Sequence, residues 1–250
     1  MKLLLFISLT FIPVILSAQA DSSWQSTVTL SYESGLVPQN EAKYTVKTAE
    51  ASIKKMSLTL VPRVSQKSIH SLKGVQFGAA AYKEFKWGYI DGTMLYSNST
   101  IYPTLTLKGN GHLNLLKGLS ATLGIHNYQY ASGNKRSVIS LGPTYYLGSW
   151  MGTYMIDRNG NSNYSHKLIT RRYLAAASDY IQLGLYYGSF EDTNLLGAPN
   201  DVISNTFQFA FHKTIWKQIQ LQLSFSSVGT NSDDNTSRFT NFMFGIKKTI

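Results

Sequence analysis

LGPTYYLGSWMGTYMIDRNGNSNYSHKLITRRYLAAASDYIQLGLYYGS, residues 141–189, decides the fold. Four short segments rich in β-branched and aromatic residues stand between turn signals at Gly148-Ser149, Asn159-Gly160-Asn161 and residues 175–179. None is a continuous apolar run and none repeats at helical spacing, so the stretch reads as two neighbouring β-hairpins. In the last segment Ile181, Leu183, Leu185 and Tyr187 share one face; Gln182, Gly184, Tyr186 and Gly188 share the other.

The start of the chain says which solvent lies outside such hairpins. Residues 1–20 read MKLLLFISLTFIPVILSAQA: a lysine, an apolar run broken by Pro13, then Ala18-Gln19-Ala20. That is the pattern of a cleaved signal peptide. The run is too short for a spanning helix, which needs about 20 residues. The predicted division is a signal peptide over 1–20 and one β-barrel over 21–250. The 250 residues contain no cysteine, so a lipid anchor on cysteine is excluded and so is a disulfide framework. With 16 Tyr, 12 Phe and only 14% charged residues, the chain is poorer in charge than a soluble domain, where about 25% is usual.

Outward from the opening stretch the alternation recurs. Trp24, Ser26, Val28, Leu30 and Tyr32 oppose Gln25, Thr27, Thr29 and Ser31. The same period of two runs through residues 56–64, 75–82, 89–96, 104–114, 119–128, 206–212, 219–226 and 242–250. Residues 42–48 give only a weak strand signal, and Pro62 suggests a strand end or bulge. Residues 65–73, 97–103, 131–136, 190–202 and 230–237 read as longer connections alternating with short turns. Segments of about 9–11 residues cross a bilayer as tilted strands. Short turns on one side and longer loops on the other mark an outer-membrane barrel, with the short set periplasmic. The polar face carries Thr, Ser, Gln, Asn and Tyr, where a soluble sandwich would present Lys and Glu. The fold class expected is all-β: a transmembrane antiparallel barrel of about 12 strands (12–14, depending on residues 42–48) in the outer membrane of a Gram-negative-type bacterium.

Candidate chemistry is sparse. His112, His126 and His212 take the inward parity; His70 and His166 do not join them. A nucleophilic site needs a hydroxyl beside such a histidine and an orienting group, and Ser120, Ser224 and Asn110 are the residues within reach by parity. No catalytic or metal-ligand motif surrounds them, so no cofactor and no metal are expected. Among carboxylates, Glu84 and Asp179 read as solvated turn charges, and Asp157 stands beside them as an acid/base candidate. Asp91 sits mid-strand, where pairing with Lys108 or Arg171 is expected. The lumen-facing set is therefore Asp91, Lys108, His112, His126, Tyr128, Arg171, Gln182, Gln208 and His212. Arg171 and Arg172 have opposite parity, so one of them faces inward. The formal charge of +10 includes the pairs Lys54-Lys55, Lys135-Arg136, Arg171-Arg172 and Lys247-Lys248, near predicted strand ends. These predict contact with anionic lipid head groups or attraction of acidic solutes into the lumen. Nucleic-acid binding has no motif support. Trp24, Tyr82, Trp87, Tyr102, Trp150, Tyr187 and Trp216 read as interfacial girdles.

An ordered set of short elements adds a family likeness: Gln76 with Ala81-Tyr82, Ile101-Tyr102-Pro103, Gly118-Leu119 with Leu123-Gly124, Gly148 with Tyr154, Ser165-His166 with Arg171-Arg172-Tyr173, and Gly184 with Gly188-Ser189. In this order the chain resembles the YaiO-type outer-membrane β-barrel family over most of its length. It departs from the usual C-terminal aromatic by ending Lys248-Thr249-Ile250. The resemblance implies an outer-membrane barrel without established catalytic residues and a link to surface polysaccharide or envelope maintenance. The expected function is a non-enzymatic conduit or envelope scaffold for polar solutes or surface polysaccharide. The alternatives are a lipid- or sugar-modifying enzyme using a lumen histidine, and an anchor for another envelope protein. Expected partners are outer-membrane lipids, the barrel assembly machinery, and a polysaccharide or envelope protein.

Overall fold

The computed structural model describes residues 24–36, 43–160, 163–174, 176–188, 203–232 and 235–250. The expected signal peptide and the connection at 190–202 lie outside the described residues. Fourteen strands follow in chain order: β1 (Trp24–Leu36), β2 (Lys43–Lys55), β3 (Leu58–Ile69), β4 (Leu72–Phe85), β5 (Gly88–Ser97), β6 (Leu105–Leu116), β7 (Leu119–Gln129), β8 (Lys135–Leu147), β9 (Trp150–Asn159), β10 (Asn163–Tyr173), β11 (Tyr180–Gly188), β12 (Ile203–Trp216), β13 (Ile219–Ser232) and β14 (Asn235–Thr249). Each pairs antiparallel with its chain neighbours, and β1 pairs with β14, so the sheet closes. Closure leaves no edge of unpaired backbone, the condition for a sheet in lipid.

The strand count corrects the expected 12 to the upper end of its range. Residues 43–48 belong to β2, a strand of 13 residues, and residue 42 lies outside the described residues. Its alternation is masked by charge: Lys43, Lys47, Glu50, Lys54 and Lys55 interrupt the apolar pattern, and the pairing that makes it a strand comes from β1 and β3. Two expected loops are also strand. Residues 65–73 form the end of β3 and the start of β4 around the tight turn His70-Ser71, with His70 at φ 52°. Residues 230–237 belong largely to β13 and β14, apart from 233–234, which lie outside the described residues. The apolar band of a barrel is only about 25 Å tall, and strands of up to 15 residues outrun it. At the end of β3 the buried positions are Ser65, Lys67 and Ile69, two of them polar, so the sequence reads as loop while the ladder continues. Pro62 sits inside β3: the register with β2 runs to Glu50↔Arg63 and resumes at Ile53↔Leu60, while Pro62 stays opposite Ala79 of β4. A proline has no N–H to give to one neighbour.

Register carries one polar face around the barrel. The row Lys54, Thr59, Tyr82, Asp91, Asn110, Gly124, Ser140, Asp157, Ser165, Gly188 and Ser204 is directly paired from β2 to β12. The opposite face carries Leu123, Ile139, Leu141, Leu185 and Phe242, each about half or more exposed. In β8 the two alternate cleanly: Val138, Ser140, Gly142 and Thr144 are buried while Ile139, Leu141 and Tyr145 are exposed. Buried apolar clusters are small. One joins Tyr44, Ile69 and Ile101, with Val46 and Tyr102 against it; another joins Tyr128, Tyr130 and Val138. Tyr102 thus packs inside a loop cluster, and Tyr82 lies on the polar face opposite Asp91, so neither belongs to an outer girdle.

Candidate functional site

The polar face organises its charged and aromatic side chains into two groups. The first spans β5 to β7. Asn110 lies directly opposite Asp91 and donates from Nδ2 to Asp91 Oδ1 at 2.8 Å. His112 Nε2 lies 2.9 Å from Asp91 Oδ2, and His112 Nδ1 lies 2.8 Å from Thr122 Oγ1. An ionised carboxylate can only accept, so the ring proton sits on Nε2 and, in the neutral ring, Nδ1 accepts from the Thr122 hydroxyl. His126 Nε2 meets Asn110 Oδ1 at 2.9 Å and donates to it. Tyr89 stacks on His112, with ring centroids 3.9 Å apart. Lys108 lies over the buried Tyr128 ring at 5.3 Å. The expected pairing of Asp91 with Lys108 or Arg171 is therefore corrected. Register puts an amide opposite the carboxylate and an imidazole one diagonal step away, and these satisfy both oxygens.

The order carboxylate, imidazole, hydroxyl is that of a nucleophilic site. Here the backbone amides around Thr122 are spent on the ladders to β6 and β8. The Asn110 amide, the nearest side-chain donor in the network, is held by Asp91. The carboxylate, the imidazole and the Thr122 hydroxyl bond to one another.

The second group spans β10 to β12. Tyr173, Tyr180 and His212 are directly paired across three strands. Tyr180 stacks on His212 at 4.2 Å and meets Tyr173 edge-on at 6.2 Å. The Arg171 guanidinium lies 4.1 Å from the Tyr180 centroid. Its Nε and Nη2 both donate to Gln182 Oε1, at 3.1 and 2.6 Å. Nearby, Gln208 accepts from the Tyr186 hydroxyl at 2.7 Å. The Tyr186 ring covers Gly184, where an added Cβ would come within 2.7 Å of it. Arg172 takes the other parity, beside Trp150, with its guanidinium 5.4 Å from that ring.

All nine residues singled out from the sequence share the polar face by register, but as two groups on separate stretches of wall. Ion pairs stud the rest of this face: Lys54 with Glu84 at 2.9 Å, Arg63 with Glu50 at 3.5 Å, and Lys167 with Asp157 at 2.6 Å. Among the described residues no cluster of three His, Asp or Glu side chains could hold a metal ion.

Asp179 corrects another expectation. It is buried rather than solvated, in the β10–β11 connection. Its Oδ1 accepts from the Thr214 hydroxyl at 2.6 Å and the Thr214 backbone N–H at 2.9 Å, and its Oδ2 from Lys213 Nζ at 2.9 Å. The hydrogen bonds from Thr214 and then Lys213 hold this carboxyl well below the usual carboxylate range. Gln220 Nε2 also donates to the Ser178 carbonyl, so the turn is tied to both β12 and β13. A turn aspartate gives no sequence signal of such burial, because its partners are 35 residues away.

A family model described as YaiO membrane beta barrel domain matches residues 25–193. Among solved structures, the chain is similar to a bacterial polysaccharide outer membrane secretin at 7% identity, covering 90% of this chain and 98% of that one, with a TM-score of 0.57. It is also similar to an anion-selective porin from Comamonas acidovorans at 8% identity, covering 91% of this chain and 98% of that one, with a TM-score of 0.48. At 7% identity the likeness to the secretin is one of fold alone. No curated protein matches the chain.

Proposed function

The chain belongs to the YaiO membrane β-barrel family of the outer membrane, and from that premise we propose that it is a non-enzymatic conduit for small polar solutes. The observation that carries the reading is the two-faced closed wall. One face is apolar and exposed; on this reading the polar face, which Asp91, Lys108, His112, His126, Tyr128, Arg171, Gln182, Gln208 and His212 share by register, lines the lumen. Barrels of about 8 strands fill with their own side chains, whereas those of 16–18 leave an aqueous channel. Fourteen strands fall between, nearer the open end of that range. The short-turn end is periplasmic, and its basic residues meet anionic lipid head groups. Insertion proceeds through the barrel assembly machinery. Surface polysaccharide or an envelope protein is a further partner on the same reading.

Reconstitution in planar bilayers tests it. Discrete ion conductance steps are expected from the purified, folded chain, and a barrel that inserts but passes no current overturns the conduit. One specific observation favours a second reading: the alignment of Asp91, His112 and Thr122 suits a lipid- or sugar-modifying enzyme. Envelope lipid and glycan profiles that change on replacing His112 would support that reading over the first.

A further inference from the structure

We propose that the wall from β10 to β14, at the short-turn end of the barrel, holds an anion-binding subsite built on Arg171 and Lys247 that takes carboxylate-bearing polar solutes. The proposal rests on the conduit reading and names the solute class for it.

The cations of the polar face are not equivalent. Lys54, Arg63 and Lys167 each have a carboxylate within 4 Å, and Lys67 lies over the Tyr102 ring. Arg171 and Lys247 have no carboxylate partner among the described residues. A charge set in a polar wall without a fixed countercharge is balanced by mobile anions, and its potential concentrates them.

Arg171 is also held ready. Tyr180 stands on the strand between Arg171 and His212, with the guanidinium at 4.1 Å and the imidazole at 4.2 Å from its ring. Gln182 Oε1 takes the Nε and Nη2 edge. The Nη1 edge has only a 3.5 Å contact to the Tyr173 hydroxyl, so its donors remain for a ligand. A flat, fixed guanidinium loses little freedom on binding a carboxylate.

Lys247 sits opposite Gln220 and Thr29, one polar-face step from Gly245. Gly245 is directly paired with Gln222, which is paired with His212 and, through it, with Tyr180. Between the two cations the paired rows run through Gln182, Ala210, Ser224 and Met243 on one line and Tyr180, His212, Gln222 and Gly245 on the next. Four inter-strand steps of about 4.8 Å, together with a four-residue offset along β14 from Met243 to Lys247, set the two cations roughly 23 Å apart along the wall. One small anion therefore does not bridge both cations. The spacing suits either successive stops for a small organic acid or simultaneous contact by an acidic oligosaccharide. Both bring the same chemistry, a carboxylate to a cation.

Calorimetric titration of the full, detergent-folded barrel tests this with citrate, with an oligo-glucuronate and with a neutral maltooligosaccharide. Citrate and oligo-glucuronate are expected to bind, and added KCl to weaken both. Arg171→Gln is expected to lose about tenfold in affinity, as removal of a charge-assisted pair does. Arg171→Lys falls between, since it keeps the charge without the planar fork. Lys247→Gln weakens oligo-glucuronate more than citrate if a chain spans both cations, and equally if each is a separate stop. Lys54→Gln, whose cation is already paired with Glu84, leaves affinity unchanged. Circular dichroism confirms that each variant is folded. Equal affinity in the wild type and Arg171→Gln overturns the subsite, as does binding of the neutral sugar alone. Arg171-dependent binding in a barrel that passes no current keeps the subsite and removes the conduit. Current without Arg171-dependent binding does the reverse.

Discussion

At the scale of residues, two carboxylates are held by hydrogen-bond partners that other strands supply, Asp91 within the barrel wall and Asp179 in a turn at its end. Asp91 is satisfied by Asn110 and His112, and His112 by Thr122. His112→Ala strands an Asp91 oxygen and removes the partner of the Thr122 hydroxyl. The expected cost is about 1–3 kcal/mol, the penalty for leaving a buried polar group unpaired, read as a lowered midpoint in urea unfolding from lipid vesicles. An unmoved midpoint would mean that water replaces the ring. Asp179 acts at the wall's end. Its folded pKa lies below the ordinary 3.8, so its stabilising effect is fully present above that value and is lost as pH falls through the folded one. Amide exchange at Thr214, whose N–H it accepts, is expected to quicken several-fold in Asp179→Asn at neutral pH. In the wild type the protection should persist below pH 4; identical exchange in both proteins would remove the carboxylate from this role.

At the scale of elements, all four tryptophans stand at the short-turn end. Trp24 opens β1, Trp87 lies in the β4–β5 turn, Trp150 opens β9 and Trp216 closes β12. Lys55 lies 4.6 Å over the Trp24 ring, and Arg172 sits over Trp150. Amphipathic rings with cations beside them settle at head-group depth. Tryptophan emission should therefore be quenched more by lipids brominated near the head group than by those brominated at the chain ends; the opposite order would place these rings in mid-bilayer. Element boundaries were the least legible part of the sequence. In β2 two of the charges that hid the strand find partners across it, Glu50 with Arg63 and Lys54 with Glu84. Where β3 turns into β4, burial still alternates, but Ser65 and Lys67 take buried positions and hide the apolar pattern that would betray the strand.

For the whole molecule, closure rests on the β1–β14 seam, where residues 200 or more apart in the chain are paired, such as Leu30 with Ile246. Directly opposed residues in an antiparallel pair have Cα atoms about 4.5–5.5 Å apart, within disulfide range. The chain has no cysteine of its own. Leu30→Cys with Ile246→Cys is expected to oxidise to an intramolecular disulfide in the folded barrel, visible as a faster band on non-reducing gels. Failure to cross-link in folded protein would open the seam. The alternation of Thr, Gln and Asn with Leu, Ile and Phe determined by itself that the chain is a sheet with two unlike faces, and hence a membrane barrel. That information is local, because side chains switch face at every residue. It also put Asp91, His112, Arg171 and His212 on one face. Which of them touch, which cations lack a carboxylate partner among the described residues, and that Asp179 is buried were decided only by tertiary structure. Those outcomes depend on register between strands, and register is set by contacts across the sheet that no local stretch contains.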